Sequence, residues 1–186
     1  MYVANIIRYV LYFTLLLICA FTDYKKGKIY NKYLLKFLLI YILVYIAEYI
    51  YIYLFNKNAI STFKNNLYNN LLGFLIGFAI GFIFYIIGVF KGGDAKLIAV
   101  VGLVNGQKIV FNHFVTIIIV AGIIALYVMI KNKILISRFK RIFLYIRNFT
   151  LTGHFERYET DDNNIKFPFA IYILVGEIII NILEHI

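Results

Sequence analysis

Residues 71–81 read LLGFLIGFAIG and lie inside an apolar run, 67–90, that contains no charged residue. A run of this length is sufficient to cross the hydrocarbon core of a bilayer as a helix. Gly73, Gly77 and Gly81 recur every four residues, so they share one helix face, and small residues at this spacing allow a second helix to approach closely. This stretch therefore predicts a membrane-spanning helix that packs tightly against another helix of the same chain.

The rest of the chain has the same character. Of its 186 residues 63% are hydrophobic and 15% charged, with a mean hydropathy of +0.84, whereas soluble domains are nearer half apolar and a quarter charged. Lipid leaves the backbone no partners outside a helix, so we expect an all-α polytopic protein, folded as a single membrane-embedded domain over 1–186, with about six transmembrane helices. Their predicted spans are 2–21, 33–55, 67–90, 95–104, 109–130 and 167–184, of which the fourth is short.

Basic residues indicate the orientation of these spans. Most of the 19 lysines and arginines fall in the segments 22–36, 91–96 and 131–166. With six spans these segments lie on one side of the membrane, and short basic loops mark the cytoplasmic side. We therefore expect a multi-pass protein of the plasma membrane with both termini outside. The segment 131–166 forms a cytoplasmic loop, in which 134–149 has the pattern of an amphipathic helix lying in the headgroup plane.

Two aspartates stand at the cytoplasmic edge of predicted spans. Asp23 follows the first span and Asp94 precedes the fourth, and a charge at that depth is costly enough to suggest a function. Two carboxylates that share one proton could activate water for aspartyl proteolysis. Gly92 and Gly93, directly before Asp94, allow close approach of a substrate backbone. The alternatives are structural: Asp94 as a helix cap and Asp23 as a polar residue of the interface.

Other polar residues give weaker signals. Cys19 is the single cysteine, and the histidines at positions 113, 154 and 185 are far apart in sequence, so we expect no metal site and no cofactor. The net charge of +10 is explained by the basic loops, so no nucleic-acid partner is expected. Glu48 and Glu177 lie inside spans, where we favour structural roles, either paired with Lys, Tyr or Asn or placed near the outer interface, over functional ones.

The residues around both aspartates resemble known motifs. Asp23 is followed after five residues by Ile29-Tyr30-Asn31, which resembles the Asp-x5-Ile-Pro-Asn signature of the type IV prepilin peptidases. Gly93, Asp94, Lys96 and Leu97 match that family's Gly-x-Gly-Asp-x-Lys-Leu motif.

The resemblance continues through the chain. Gly102 and Gly106 follow at the spacing of the family pattern, and Pro168 begins a segment similar to the family's last span, with Gly176 eight residues later. Two positions depart from the pattern: Tyr30 replaces a proline, and Lys91 stands where the first glycine of Gly-x-Gly-Asp is expected.

The resemblance implies an aspartyl endopeptidase with Asp23 and Asp94 as catalytic residues, and with Gly92, Gly93, Lys96 and Pro168 supporting the site or substrate. Its substrates would be prepilin-like or preflagellin-like subunits, cut on the cytoplasmic side behind a short basic leader. We expect the short form of the family, because the paired Cys-x-x-Cys motifs of the N-methylating forms are missing from this sequence.

Several possibilities remain open from the sequence. The acidic residues of segment 156–162 could attract a basic leader or simply keep a loop hydrated. A protease that cuts within a helix, similar to presenilin or signal peptide peptidase, and a non-enzymatic transporter or assembly factor are alternative functions. The oligomeric state is not indicated by the sequence.

Overall fold

The computed structural model describes residues 2–133, 135–137, 140, 144, 147 and 168–184. Six helices are defined in these residues, and we number them in chain order. They are α1 (Tyr2–Lys26), α2 (Asn31–Phe55), α3 (Ile60–Ile86), α4 (Gly92–Asn105), α5 (Val110–Lys131) and α6 (Phe169–Glu184). A 3-10 turn, Lys57–Ala59, leads into α3.

Each predicted apolar run forms a helix, and the described part of the chain contains no strand. Four stretches are long and apolar enough to cross a membrane: Val3–Lys26, Asn31–Phe55, Lys57–Ile86 and Val110–Lys131. Helix α4 has 14 residues and α6 has 16, fewer than the roughly 20 that a spanning helix needs. The all-helical class is therefore confirmed, whereas the count of six spans is not.

The predicted amphipathic helix at 134–149 is described only in part. Residues 135–137, 140, 144 and 147 are helical. The remaining positions of this segment lie outside the described residues, as does the acidic segment 156–162. The amphipathic helix thus stays a prediction.

The predicted close contact of α3 is confirmed, and its partner is α4. A Cβ added to Gly77 would lie 2.6 Å from the main-chain oxygen of Ile98, and one added to Gly81 would lie 2.6 Å from that of Ala95. Gly73 faces the main chain of Gly102 in the same way. Since these distances leave no room for a side chain, α4 packs backbone to backbone on α3, and ten of its residues are buried.

Consecutive helices run in alternating directions. At one end of the bundle the C-terminus of α1 meets the N-termini of α4 and α6. Lys91, just before α4, donates a hydrogen bond to Gly27, and Ala170 of α6 donates one to Asp23. At the other end Gln107, just after α4, donates its main-chain N–H to Asn69 of α3 over 3.0 Å. We call the first of these the aspartate end.

Buried charges away from the aspartate end are paired. Arg8 of α1 binds Glu48 of α2 at 2.8 Å. Glu177 of α6 meets His113 of α5 at 2.8 Å and accepts a hydrogen bond from Asn105 of α4 at 3.2 Å. A buried carboxylate is tolerated when it is paired in this way. The expected asparagine partner is confirmed for Glu177, whereas Glu48 pairs with an arginine that the sequence did not suggest.

Candidate active site

Asp23 lies in the last turns of α1, and only 4% of its surface is exposed. Its Oδ2 accepts a hydrogen bond from the main-chain N–H of Ala170 over 3.1 Å. Ala170 belongs to the first turn of α6, directly after Pro168 and Phe169. The first N–H groups of a helix have no partner within it, so the carboxylate of Asp23 completes the start of α6.

Asp94 is the third residue of α4 and is 6% exposed. The helix begins at Gly92, and the residue in the N-cap position is Lys91. Oδ2 of Asp94 accepts the main-chain N–H of Lys91 over 3.0 Å. This bond reaches back to the cap residue, as the acidic member of a capping box does. Asp94 therefore does help to cap α4, but from the third helical position rather than as the N-cap residue itself.

The surroundings of Asp94 favour its protonated form. Asp94 lies outside the four candidate spans. Burial, together with the nearby carboxylate of Asp23, raises the pKa of Asp94 from 3.8 to about 6. The hydrogen bond from the Lys91 main chain and the Lys91 ammonium act on this pKa in the opposite direction. The two aspartates are therefore near enough to interact electrostatically, although they belong to different helices.

The two motif segments, 23–31 and 93–97, contact each other directly. A Cβ on Gly93 would lie 2.8 Å from Cβ of Ile29, so only glycine fits without a shift. Lys96 donates from Nζ to Oδ1 of Asn31 over 3.0 Å. Gly92 is exposed, and a Cβ there would make only an ordinary contact of 3.8 Å with Tyr85. Close packing therefore requires glycine at 93 but not at 92.

The structure gathers some of the predicted site residues and separates others. Asp23, Asp94 and Pro168 all lie at the aspartate end, where the rings of Phe90 and Phe169 also pack with centroids 4.4 Å apart. Lys96 is exposed and directed to the start of α2. Within the described part of the chain, no three His, Cys, Asp or Glu side chains lie close enough to hold a metal ion.

Two contacts of the site were not anticipated from the sequence. The N–H of Ala170 holds Asp23, and the available signal was Pro168, because a proline that opens a helix is followed by N–H groups without helical partners. Lys91 was visible in the sequence only as a departure from the family pattern. Its main-chain N–H and its ammonium instead contact both motif segments.

Comparison with known proteins agrees with this geometry. Residues 10–130 match the pattern of the type IV leader peptidase family, and this is more than half of the chain. The chain belongs to that family. The matched region contains both aspartates and helices α2 to α4, whereas Pro168 and α6 lie beyond it. Searches of curated proteins and of solved structures gave no match.

Family membership establishes the general activity. A type IV leader peptidase is a protease, and the family implies a prepilin-like substrate and a lipid environment. The four apolar helices agree with a multi-pass membrane protein. The chain is therefore a protease of the leader peptidase kind whose helices are suited to a bilayer.

Proposed function

We propose that this family member is an aspartyl endopeptidase that removes the short basic leader of prepilin-like or preflagellin-like subunits, with Asp23 and Asp94 as its catalytic pair. The observation that supports the proposal is that two buried carboxylates from distant parts of the chain lie at the same end of the bundle, where Lys91 bonds to Gly27 and Gly93 packs on Ile29. Pairs of carboxylates in one site share a proton and titrate as a unit.

The hydrogen bonds of the pair fit this chemistry. Each carboxylate is held through Oδ2, by the N–H of Ala170 for Asp23 and by that of Lys91 for Asp94. Within the described residues, Oδ1 of each carboxylate takes part in no hydrogen bond. One oxygen of each acid is thus oriented by the fold, and the other is left for water or substrate.

The proposed reaction uses the shared proton. Asp94, whose pKa is raised to about 6, carries it and donates a hydrogen bond to the scissile carbonyl oxygen. Asp23 takes a proton from the attacking water, and the new C–O bond gives a tetrahedral intermediate. When that intermediate collapses, the C–N bond breaks and the leaving amine receives a proton from the pair.

The substrate side of the proposal rests on charge. Seven lysines of the described residues lie at the aspartate end, at positions 25, 26, 28, 32, 36, 91 and 96. By the positive-inside rule this end faces the cytoplasm. A leader cut there would precede the point at which the subunit's hydrophobic helix enters the bilayer. The acidic segment 156–162 remains our candidate for attracting a basic leader.

Coexpression with a prepilin-like substrate tests the catalytic pair. Asp23→Asn and Asp94→Asn should each abolish leader removal, seen as loss of the mobility shift on a gel and of the new N-terminus. Asparagine is chosen because its Oδ1 still accepts the hydrogen bond from Ala170 or Lys91, so helix starts are preserved. Tyr24→Phe, next to Asp23 but 66% exposed, should cleave as the wild type does.

Two results would contradict the proposal. Leader removal that survives either asparagine substitution would exclude the pair as the catalytic groups. A new N-terminus inside the hydrophobic helix of the substrate would instead favour a protease of the signal peptide peptidase kind.

A further inference from the structure

Lys91 contacts both aspartate-bearing segments. Its Nζ donates to the main-chain oxygen of Gly27 over 3.1 Å, across 64 positions of sequence. Its main-chain N–H donates to Oδ2 of Asp94. The residue that departs from the family's glycine pattern therefore joins the end of α1 to the start of α4.

The Gly27 carbonyl is a suitable acceptor for a cation. Gly27 has φ of +63° and ends α1 with its N–H bonded to the main-chain oxygen of Asp23 at 2.7 Å. Carbonyls at a helix C-terminus lack partners in the helix and carry partial negative charge. A lysine from another segment can bind such a carbonyl. Lys91 therefore caps the helix whose last turns contain Asp23.

These bonds form one continuous path between the two aspartates. It runs from the main-chain oxygen of Asp23 to Gly27, then to the ammonium of Lys91, and through the Lys91 main chain to the carboxylate of Asp94. We propose that Lys91 is a positioning residue that fixes the two aspartates relative to each other, and this inference rests on the proposed function. A glycine at position 91 would keep the last link and lose the link to α1.

The same side chain sets part of the electrostatic field at Asp94. The groups that act on its titration are the carboxylate of Asp23 on α1 and the charge and main chain of Lys91. Because the ammonium favours the ionised form, its removal should raise the pKa of Asp94. The proposed reaction needs Asp94 protonated. The fall of leader-removal activity at alkaline pH should therefore move to higher pH.

Three variants separate the contributions of Lys91. Lys91→Met removes both charge and donor, Lys91→Gln removes the charge but keeps a donor, and Lys91→Arg keeps both. We measure kcat, KM and the pH profile of leader removal by purified full-length protein in detergent. Lys28→Met is the matched control, since Lys28 is an exposed lysine of the same end without a hydrogen bond to either aspartate among the described residues.

The expected results distinguish positioning from a general loss of charge. Lys91→Met should lower kcat about tenfold with little change in KM. It should also move the alkaline limb of the pH profile upward on the order of half a pH unit, because the interaction of one exposed charge with Asp94 is worth only a fraction of a kcal/mol. Lys91→Gln should show the same movement of the limb with a smaller loss of kcat. Lys91→Arg and Lys28→Met should keep the wild-type values.

Failure of this inference differs from failure of the proposed function. If the wild type cleaves, Asp94→Asn does not, and Lys91→Met keeps both the wild-type kcat and pH profile, Lys91 has no positioning role. If Asp94→Asn cleaves, the catalytic assignment itself is wrong. Lys91 is exposed, so the variants should fold, and a thermal melt of each one checks this. Should Lys91→Met unfold, a wild-type profile for Lys91→Gln would still overturn the inference.

Discussion

At the scale of single residues, each aspartate has a structural task besides its proposed chemistry. Asp23 completes the start of α6, and Asp94 binds back to the cap residue of α4. The sequence presented the cap and the catalytic acid as alternatives for Asp94. Among the described residues, Oδ2 of Asp94 binds the start of the helix and Oδ1 takes part in no hydrogen bond, so the two roles are compatible.

The buried carboxyl of Asp94 should make stability depend on pH. Its pKa is raised from 3.8 to about 6 in the folded protein, so its contribution to stability is full below pH 3.8 and is lost as pH rises through 6. Since a tenfold change in a proton-binding constant corresponds to about 1.4 kcal/mol, the loss is on the order of 3 kcal/mol. In thermal melts between pH 4 and 7, the wild type should lose more stability than Asp94→Asn.

The comparison has an internal control. Near pH 4 the Asp94 carboxyl is largely protonated in the folded protein, and asparagine carries no charge at any pH. The melting temperatures of wild type and variant should therefore be similar there and diverge toward pH 7. Parallel curves over the whole range would show that Asp94 titrates in the folded protein as it does in the unfolded chain.

At the scale of helices, the contact of α3 with α4 sets where Asp94 lies. Helix α4, with its 14 residues, is too short to place itself by spanning the bilayer. The glycine face of α3 holds it instead, by contacts at Gly73, Gly77 and Gly81. The four-residue glycine spacing predicted the contact, but it did not identify α4 as the partner.

Substitution of a glycine on this face should therefore be costly. In Gly77→Ala the added Cβ would meet the main-chain oxygen of Ile98 at 2.6 Å, so the two helices must separate. We expect a destabilisation of about 1–3 kcal/mol, as for overpacking of a close-packed interior, with loss of leader removal as α4 shifts. Thermal melts and the coexpression assay measure the two effects.

Gly122 in α5 provides the matched control. A Cβ there meets nothing within 4 Å, and alanine is a better helix former than glycine by about 1 kcal/mol. Gly122→Ala should thus be neutral or slightly stabilising and keep activity. Equal effects of the two substitutions would show that the contact of α3 with α4 does not control stability.

At the scale of the whole molecule, the alternating helices place the aspartate end opposite to the turn at Lys57–Ala59. The proposed function, following the positive-inside rule, expects the aspartate end to face the cytoplasm. Because Cys19, the natural cysteine, is fully buried, a single introduced cysteine can report on each end. Lys28 and Lys57 are exposed and lie near opposite ends.

Labelling with a membrane-impermeant maleimide tests the orientation. In intact cells Lys57→Cys should be labelled and Lys28→Cys should not, whereas both should be labelled after the membrane is permeabilised. The wild type, with Cys19 alone, serves as the unlabelled control. The reverse pattern in intact cells would place the proposed active site outside the cytoplasm.

The all-helical class, the positions of the six helices and the two candidate aspartates could be predicted from sequence alone. These features follow from local properties: apolar runs in lipid must be helical, and an isolated charge at the end of such a run is conspicuous. The number of helices that span the membrane could not be predicted in this way, because α4 and α6 are held by packing rather than by length alone.

The surroundings of the aspartates, by contrast, depend on how the helices pack. The bond from Ala170 to Asp23 joins residues 147 positions apart, and that from Lys91 to Gly27 joins residues 64 positions apart. Both use main-chain groups at helix ends, which are available at every helix end whatever the residue type. Pro168 marked a helix start with unpartnered N–H groups, but residue identities did not indicate which groups would meet, and packing of the helices decided that.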